Sequence, residues 1–248
     1  MDSVRRATVA MAALGTLLAT TAACGGPGSG ADGASGAGGR GTRKPTGDAT
    51  HPADTTRLPG VGERLRRKIP ADSSQVVAVY GRGKDSAEST VVLYTRRGAR
   101  WHQEASWPAH NGRRGWTTDH HEGDKRSPVG VFTLSDAGGV LPDPGAKLPY
   151  DRDQVAYAAP AYWKKAYHHD FDYVIAIDYN RVRGNPPKDA TRPLGAEKGG
   201  SIWLHMDHHS GTSACVSVSR TAMERLLRTL DPARKPVVVM GDRADLSA

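Results

Sequence analysis

The chain has 248 residues, 34 Lys and Arg against 26 Asp and Glu for a net charge of +8, and two cysteines. Its opening stretch is too poor in large apolar residues to build a core, so the length supports one catalytic domain of ordinary size rather than two. The basic residues are scattered singly or in pairs such as Arg96-Arg97 and Arg113-Arg114, with no aromatic-interleaved stripe, which argues against a nucleic-acid partner. Cys24 and Cys215 lie in regions so different in composition that no bridge between them is expected.

Arg5 and Arg6 precede an apolar run from Ala7 to Ala19 that ends in small residues before Cys24. That is the layout of a secretory signal, and the run is short for a membrane span of about 20 residues. Thr21-Ala22-Ala23-Cys24 resembles the lipobox of bacterial lipoproteins, with Thr21 where many have leucine. The resemblance implies cleavage before Cys24, lipidation of that cysteine, and an extracytoplasmic protein held on the cell membrane and facing the cell wall. The expected division is a signal peptide over 1–23, a tether over 24–73 and a catalytic domain over 74–248. Nine glycines fall between Cys24 and Thr42 with almost nothing large among them. Such a segment cannot bury enough surface to fold, and some 35 flexible residues would reach about 30–35 Å.

From Ser74 the composition turns to short β-rich runs: Val76 to Tyr80, Thr90 to Tyr94, Val129 to Leu134, Tyr173 to Tyr179, Ile202 to Met206 and Val237 to Met240. Turn residues such as Asn111-Gly112 and Pro142-Asp143-Pro144-Gly145 punctuate them. A mostly-β fold of sandwich type follows, with one or two short helices. The clearest helix starts at a Ser219 cap, carries Met223, Leu226, Leu227 and Leu230 at helical spacing, and stops at Asp231-Pro232.

Cys215 lies in the small-residue run Gly211-Thr212-Ser213-Ala214-Cys215-Val216, and His205 ends the apolar run Ile202-Trp203-Leu204, ten positions earlier. A strand delivering a histidine, then a small-residue loop, then a lone cysteine is what a thiolate–imidazole pair needs, since an adjacent imidazolium lowers a thiol pKa. Two other readings stay open on residue types alone. Cys215 could be a small buried hydrophobe with His205 satisfied elsewhere. His205, Asp207, His208 and His209 could hold a metal, although adjacent strand residues point to opposite faces. Tyr157, Tyr173 and Trp203 read as packing before they read as a cleft lining.

Three blocks together resemble the L,D-transpeptidase (YkuD-type) catalytic family, in its subgroup with a short interval between histidine and cysteine. They are Asn111-Gly112 through Gly123-Asp124 to Ser127-Pro128-Val129-Gly130-Val131-Phe132, then Asp178-Tyr179-Asn180, then Gly200 to His205 with Thr212-Ser213-Ala214-Cys215-Val216. The resemblance spans roughly Ser74 to Gly241. It implies a β-sandwich without metal or other cofactor, Cys215 as nucleophile, His205 as general base and acid, and a loop of Thr212, Ser213 and Ala214 that shapes the oxyanion site. It also implies peptidoglycan stem peptides as partners, cleavage of a terminal D-Ala through a Cys thioester, transfer to an amine of another stem, and acylation by carbapenem-type inhibitors. Carboxypeptidase action at the same site, or a catalytically weak wall-binding lipoprotein, is the alternative. Two positions depart from the pattern. Ala214 stands where the family usually has glycine, and a positive φ there would cost about 1–2 kcal/mol. Ser217 stands where many relatives carry Arg or Asn, so no substrate contact carries over to it.

Overall fold

The computed structural model describes residues 55–248. Residues 1–54, which hold the expected signal peptide, Cys24 and most of the expected tether, lie outside the described residues.

Twelve strands follow in chain order: β1 (Gln75–Gly81), β2 (Glu88–Arg97), β3 (Arg100–His110), β4 (Trp116–Thr117), β5 (Ser127–Pro128), β6 (Gly130–Thr133), β7 (Ala137–Gly139), β8 (Tyr150–Arg152), β9 (Val174–Ala176), β10 (Trp203–Met206), β11 (Val216–Val218) and β12 (Val237–Asp242). Ten of them form one mixed sheet in the order β6-β12-β1-β2-β3-β11-β10-β9-β7-β8, and β4 pairs with β5. All six β-rich runs read from the sequence are strands. Three are shorter than read: Tyr173 to Tyr179 yields only Val174–Ala176, Val129 to Leu134 yields Gly130–Thr133, and Ile202 to Met206 yields Trp203–Met206.

The sheet folds over on itself. Val77, Val79, Val91 and Leu93 from one end share a core with Ile175, Leu204, Val216 and Val218 from the other. Helix α2 (Arg220–Thr229) seals that core with Ala222, Met223, Leu226 and Leu227, and the Ser219 side chain accepts the Ala222 N–H as its N-cap. This is the mostly-β, sandwich-type architecture expected.

The outer face of β1, β2 and β12 buries Val76, Ala78, Val92, Val237 and Val239 against Leu58, Val61 and Leu65, with Leu246 of α3 (Arg243–Ser247). Leu65 sits on the short helix α1 (Glu63–Arg66) and is fully buried. Residues 55–73 were expected to be tether; they belong to the folded body instead. They supply most of the apolar cover on that face of the sheet, and Leu246 adds to it.

Candidate active site

β10 and β11 run parallel, with Leu204 opposite Val216 and His205 opposite Ser217. Strand alternation then sorts the side chains. Leu204 and Val216 enter the main core, whereas Trp203 and Cys215 pack on the other face with Tyr157, Val174, Ala176 and Phe171. His205 and Ser217 share that second face. Cys215 and His205 are thus diagonal neighbours on adjacent strands, offset by two residues, within the span that side chains bridge on a sheet. Tyr157, Tyr173 and Trp203 are buried packing residues.

The Cys215 sulfur accepts the Trp203 N–H at 3.4 Å and donates toward the Ser201 carbonyl at 3.7 Å. Burial pushes its pKa up to about 11; the Trp203 N–H and its own N–H oppose this, while Asp170 adds to it. His205 is almost wholly buried, and burial holds its imidazole below the ordinary histidine value against the pull of Asp170 and the Met206 carbonyl. Its Nδ1 lies 2.7 Å from that carbonyl and donates to it. The hydrogen bond assigns the tautomer and leaves the Nε2 lone pair free to take a proton.

Neither hydrogen bond of Cys215 goes to His205. The expectation of an imidazolium that depresses the thiol therefore does not describe the resting site, which holds a neutral thiol and a neutral imidazole. The reason is desolvation, which penalises the charged form of both groups.

The loop before Cys215 is clamped from a distance in sequence. Thr212 Oγ1 donates to the Cys215 carbonyl at 2.6 Å, and the Thr212 N–H donates to Asn111 at 2.9 Å. Ser127, fully buried, donates through Oγ to the Ala214 carbonyl at 2.5 Å and accepts the Gly112 N–H at 2.9 Å. Gly112 has no alternative there, because a Cβ would lie 2.7 Å from the Lys125 carbonyl oxygen. Among the described residues the N–H groups of Ser213 and Ala214 donate to nothing, and that of Cys215 only to its own sulfur. Ala214 is absent from the residues with positive φ, and its methyl joins the core. The strain that glycine would relieve does not arise.

Polar side chains around this face pair in ways that the sequence pattern does not encode. Ser217 donates to Asp207 at 2.7 Å, and His110 Nδ1 lies 2.9 Å from the same carboxylate oxygen. These two outweigh burial and hold the Asp207 carboxyl below its usual range. His208 Nδ1 lies 2.9 Å from Asp170 Oδ2, both side chains being buried. His209 is 94% exposed. The His205–Asp207–His208–His209 run is therefore dispersed, and among the described residues no three His, Cys, Asp or Glu side chains converge as metal ligands would. Asp178, of the second block, is ion-paired with buried Arg181, while Asn180 accepts the Leu194 N–H at 2.7 Å and donates to Gly195. The block thereby fixes the segment that leads to β10.

None of the curated proteins matches the sequence. Four solved chains match, among them the structure of Bdellovibrio bacteriovorus Bd1075, at 15% identity and a TM-score of 0.37 over 68% of this chain and 48% of that one. The chain thus spans about half the length of that protein. The model of the L,D-transpeptidase catalytic domain family, YkuD, matches residues 84–239, which takes in β3, the clamp residues and both strands that carry Cys215 and His205, and the chain belongs to that family.

Proposed function

We propose that the chain is an exported cysteine acyltransferase that cross-links peptidoglycan stem peptides. The observation that carries the reading is Cys215 and His205 on one sheet face, with the imidazole Nδ1 tied back and unengaged N–H groups at Ser213 and Ala214.

In this mechanism the Cys215 sulfur attacks the carbonyl that precedes the terminal D-Ala of a tetrapeptide stem. His205 Nε2 takes the thiol proton as the C–S bond forms. Donors at Ser213, Ala214 and Cys215 hold the oxyanion, each worth about 3–4 kcal/mol where such donors are preorganised. The C–N bond then breaks, His205 returns its proton to the leaving D-Ala amine, and a thioester remains. An amine of a second stem attacks the thioester, His205 takes its proton, and the thiol is regenerated with a new amide. Because the resting groups are both neutral, proton transfer accompanies attack rather than preceding it.

Family membership and the signal and lipobox pattern before Cys24 support a site of action on the outer side of the membrane, with the lipid at Cys24 holding the chain near the wall. Incubation with defined tetrapeptide stems tests the reading: a cross-linked dimer that disappears in Cys215→Ala supports it. Trimmed tripeptide alone would make the chain an L,D-carboxypeptidase, and stem binding without turnover would make it a wall-binding lipoprotein.

A further inference from the structure

His205 has a second buried imidazole stacked on it. The rings of His205 and His208 lie 6.2 Å apart between centroids and within 12° of parallel. Phe171 meets His205 edge-on at 5.4 Å, and Tyr167 meets His208 edge-on at 4.5 Å. The His208 side chain is 4% exposed and that of Asp170 5%. His208 Nε2 has no hydrogen-bond partner, and Nδ1 lies 2.9 Å from Asp170 Oδ2. The arrangement is fixed to the site: the Asp170 carbonyl accepts the N–H of Met206, the residue after His205, at 2.9 Å.

We propose that His208 and Asp170 are positioning residues for His205, a buried charge pair that sets how readily the base takes and gives up the proton of Cys215. The proposal rests on the transferase reading above. The titratable groups that face His205 are Asp170 from the segment before β9, His208 and Asp207 from the segment after β10, and Cys215 from the approach to β11. Asp207 is in turn bound by His110 and Ser217, which occupies its charge. Asp170 is then the foremost carboxylate that favours an imidazolium at His205, ahead of Asp207, and His208 is the group that opposes it.

Although burial pulls His208 down, Asp170, with smaller help from Asp207 and the Gly211 backbone, raises the His208 pKa, so on acidification His208 protonates before His205. Protonated His208 cancels the carboxylate and keeps His205 neutral, which preserves the base at mildly acid pH. When His208 is neutral and a thiol proton moves to His205, Asp170 supplies the opposing charge.

The experiment is an NMR titration of the imidazole side chains in the full chain, with the pH profile of Cys215 acylation alongside. In the unsubstituted chain the His205 resonances should carry a second inflection at the His208 midpoint. Asp170→Asn should lower the His205 midpoint and His208→Gln should raise it, each by at least about 0.5 pH unit, a modest fraction of the 1–3 units expected for charges in direct contact. Asp170→Glu should restore the unsubstituted behaviour in part. Two shifts of the same sign, or no second inflection and no shift, would overturn the proposal. A chain that shows the opposite shifts but no acylation of Cys215 would keep the pair and sink the transferase reading, so the two failures are distinguishable.

Discussion

Thr212 Oγ1 donates to the main-chain carbonyl of Cys215 at 2.6 Å, closing the loop on the residue it serves. Ser127 Oγ is the only other donor to that oxygen among the described residues, at 3.3 Å. Thr212→Val keeps the shape and removes the hydroxyl. Loss of a buried hydrogen bond costs about 0.5–1.5 kcal/mol net, so urea denaturation should show a loss near 1 kcal/mol. The acylation rate of Cys215 should fall by roughly the same free energy, about fivefold, because the Cys215 N–H shares the loosened loop. An unchanged rate would separate Thr212 from the oxyanion site.

In the proposed mechanism His205 acts as a base only when neutral, that is, above its pKa, and burial places that pKa below the ordinary 6.5. Acylation should therefore persist as pH falls through 6.5 and be lost only lower, with an acid limb in the pH–rate profile beneath that value. The thiol, at about 11, is almost wholly protonated at neutral pH. His205→Ala should accordingly leave Cys215 less reactive toward iodoacetamide at pH 8 than a free cysteine, with reactivity still climbing above pH 10.

Ala214→Gly would restore the residue usual in the family, yet it should not speed acylation of Cys215. Ala214 needs no positive φ, and its methyl is packed. Glycine there removes apolar contact and adds unfolded-chain entropy, costing about 0.5–1 kcal/mol. A lowered melting midpoint with an unchanged acylation rate is the expected result.

Leu65, fully buried against β1 and β12, makes residues 55–73 part of the fold. Leu65→Ala should cost about 2–5 kcal/mol by denaturant titration, the range for emptying a leucine site. A chain begun at Ser74 should be unstable where one begun before Thr55 is not.

The sequence made the central strands legible because β1, β2, β10 and β12 are nearly continuous apolar runs buried on both faces. It hid β3, whose Arg100-to-His110 stretch is mostly part-exposed, polar and interrupted by Pro108. The segment 55–73 looked like tether because three buried apolar side chains among charged and proline residues give no period. Cys215 and His205 stood out as a lone cysteine after a strand histidine. Ser127 and Asn111 lie in a block that the sequence marks, but their roles depend on distant contacts, Ser127 with Ala214 87 residues away and Asn111 with Thr212, that no local pattern encodes. Asp170 and His208 were hidden in the same way: His208 read as a metal candidate until the fold set it between Asp170 and His205.

The most direct test of the account is the intact mass of the full chain after incubation with a carbapenem, beside a Cys215→Ala variant shown to be folded. One covalent adduct is expected on the unsubstituted chain and none on the variant. No adduct on the folded unsubstituted chain, or an equal adduct on both, would contradict Cys215 as the nucleophile.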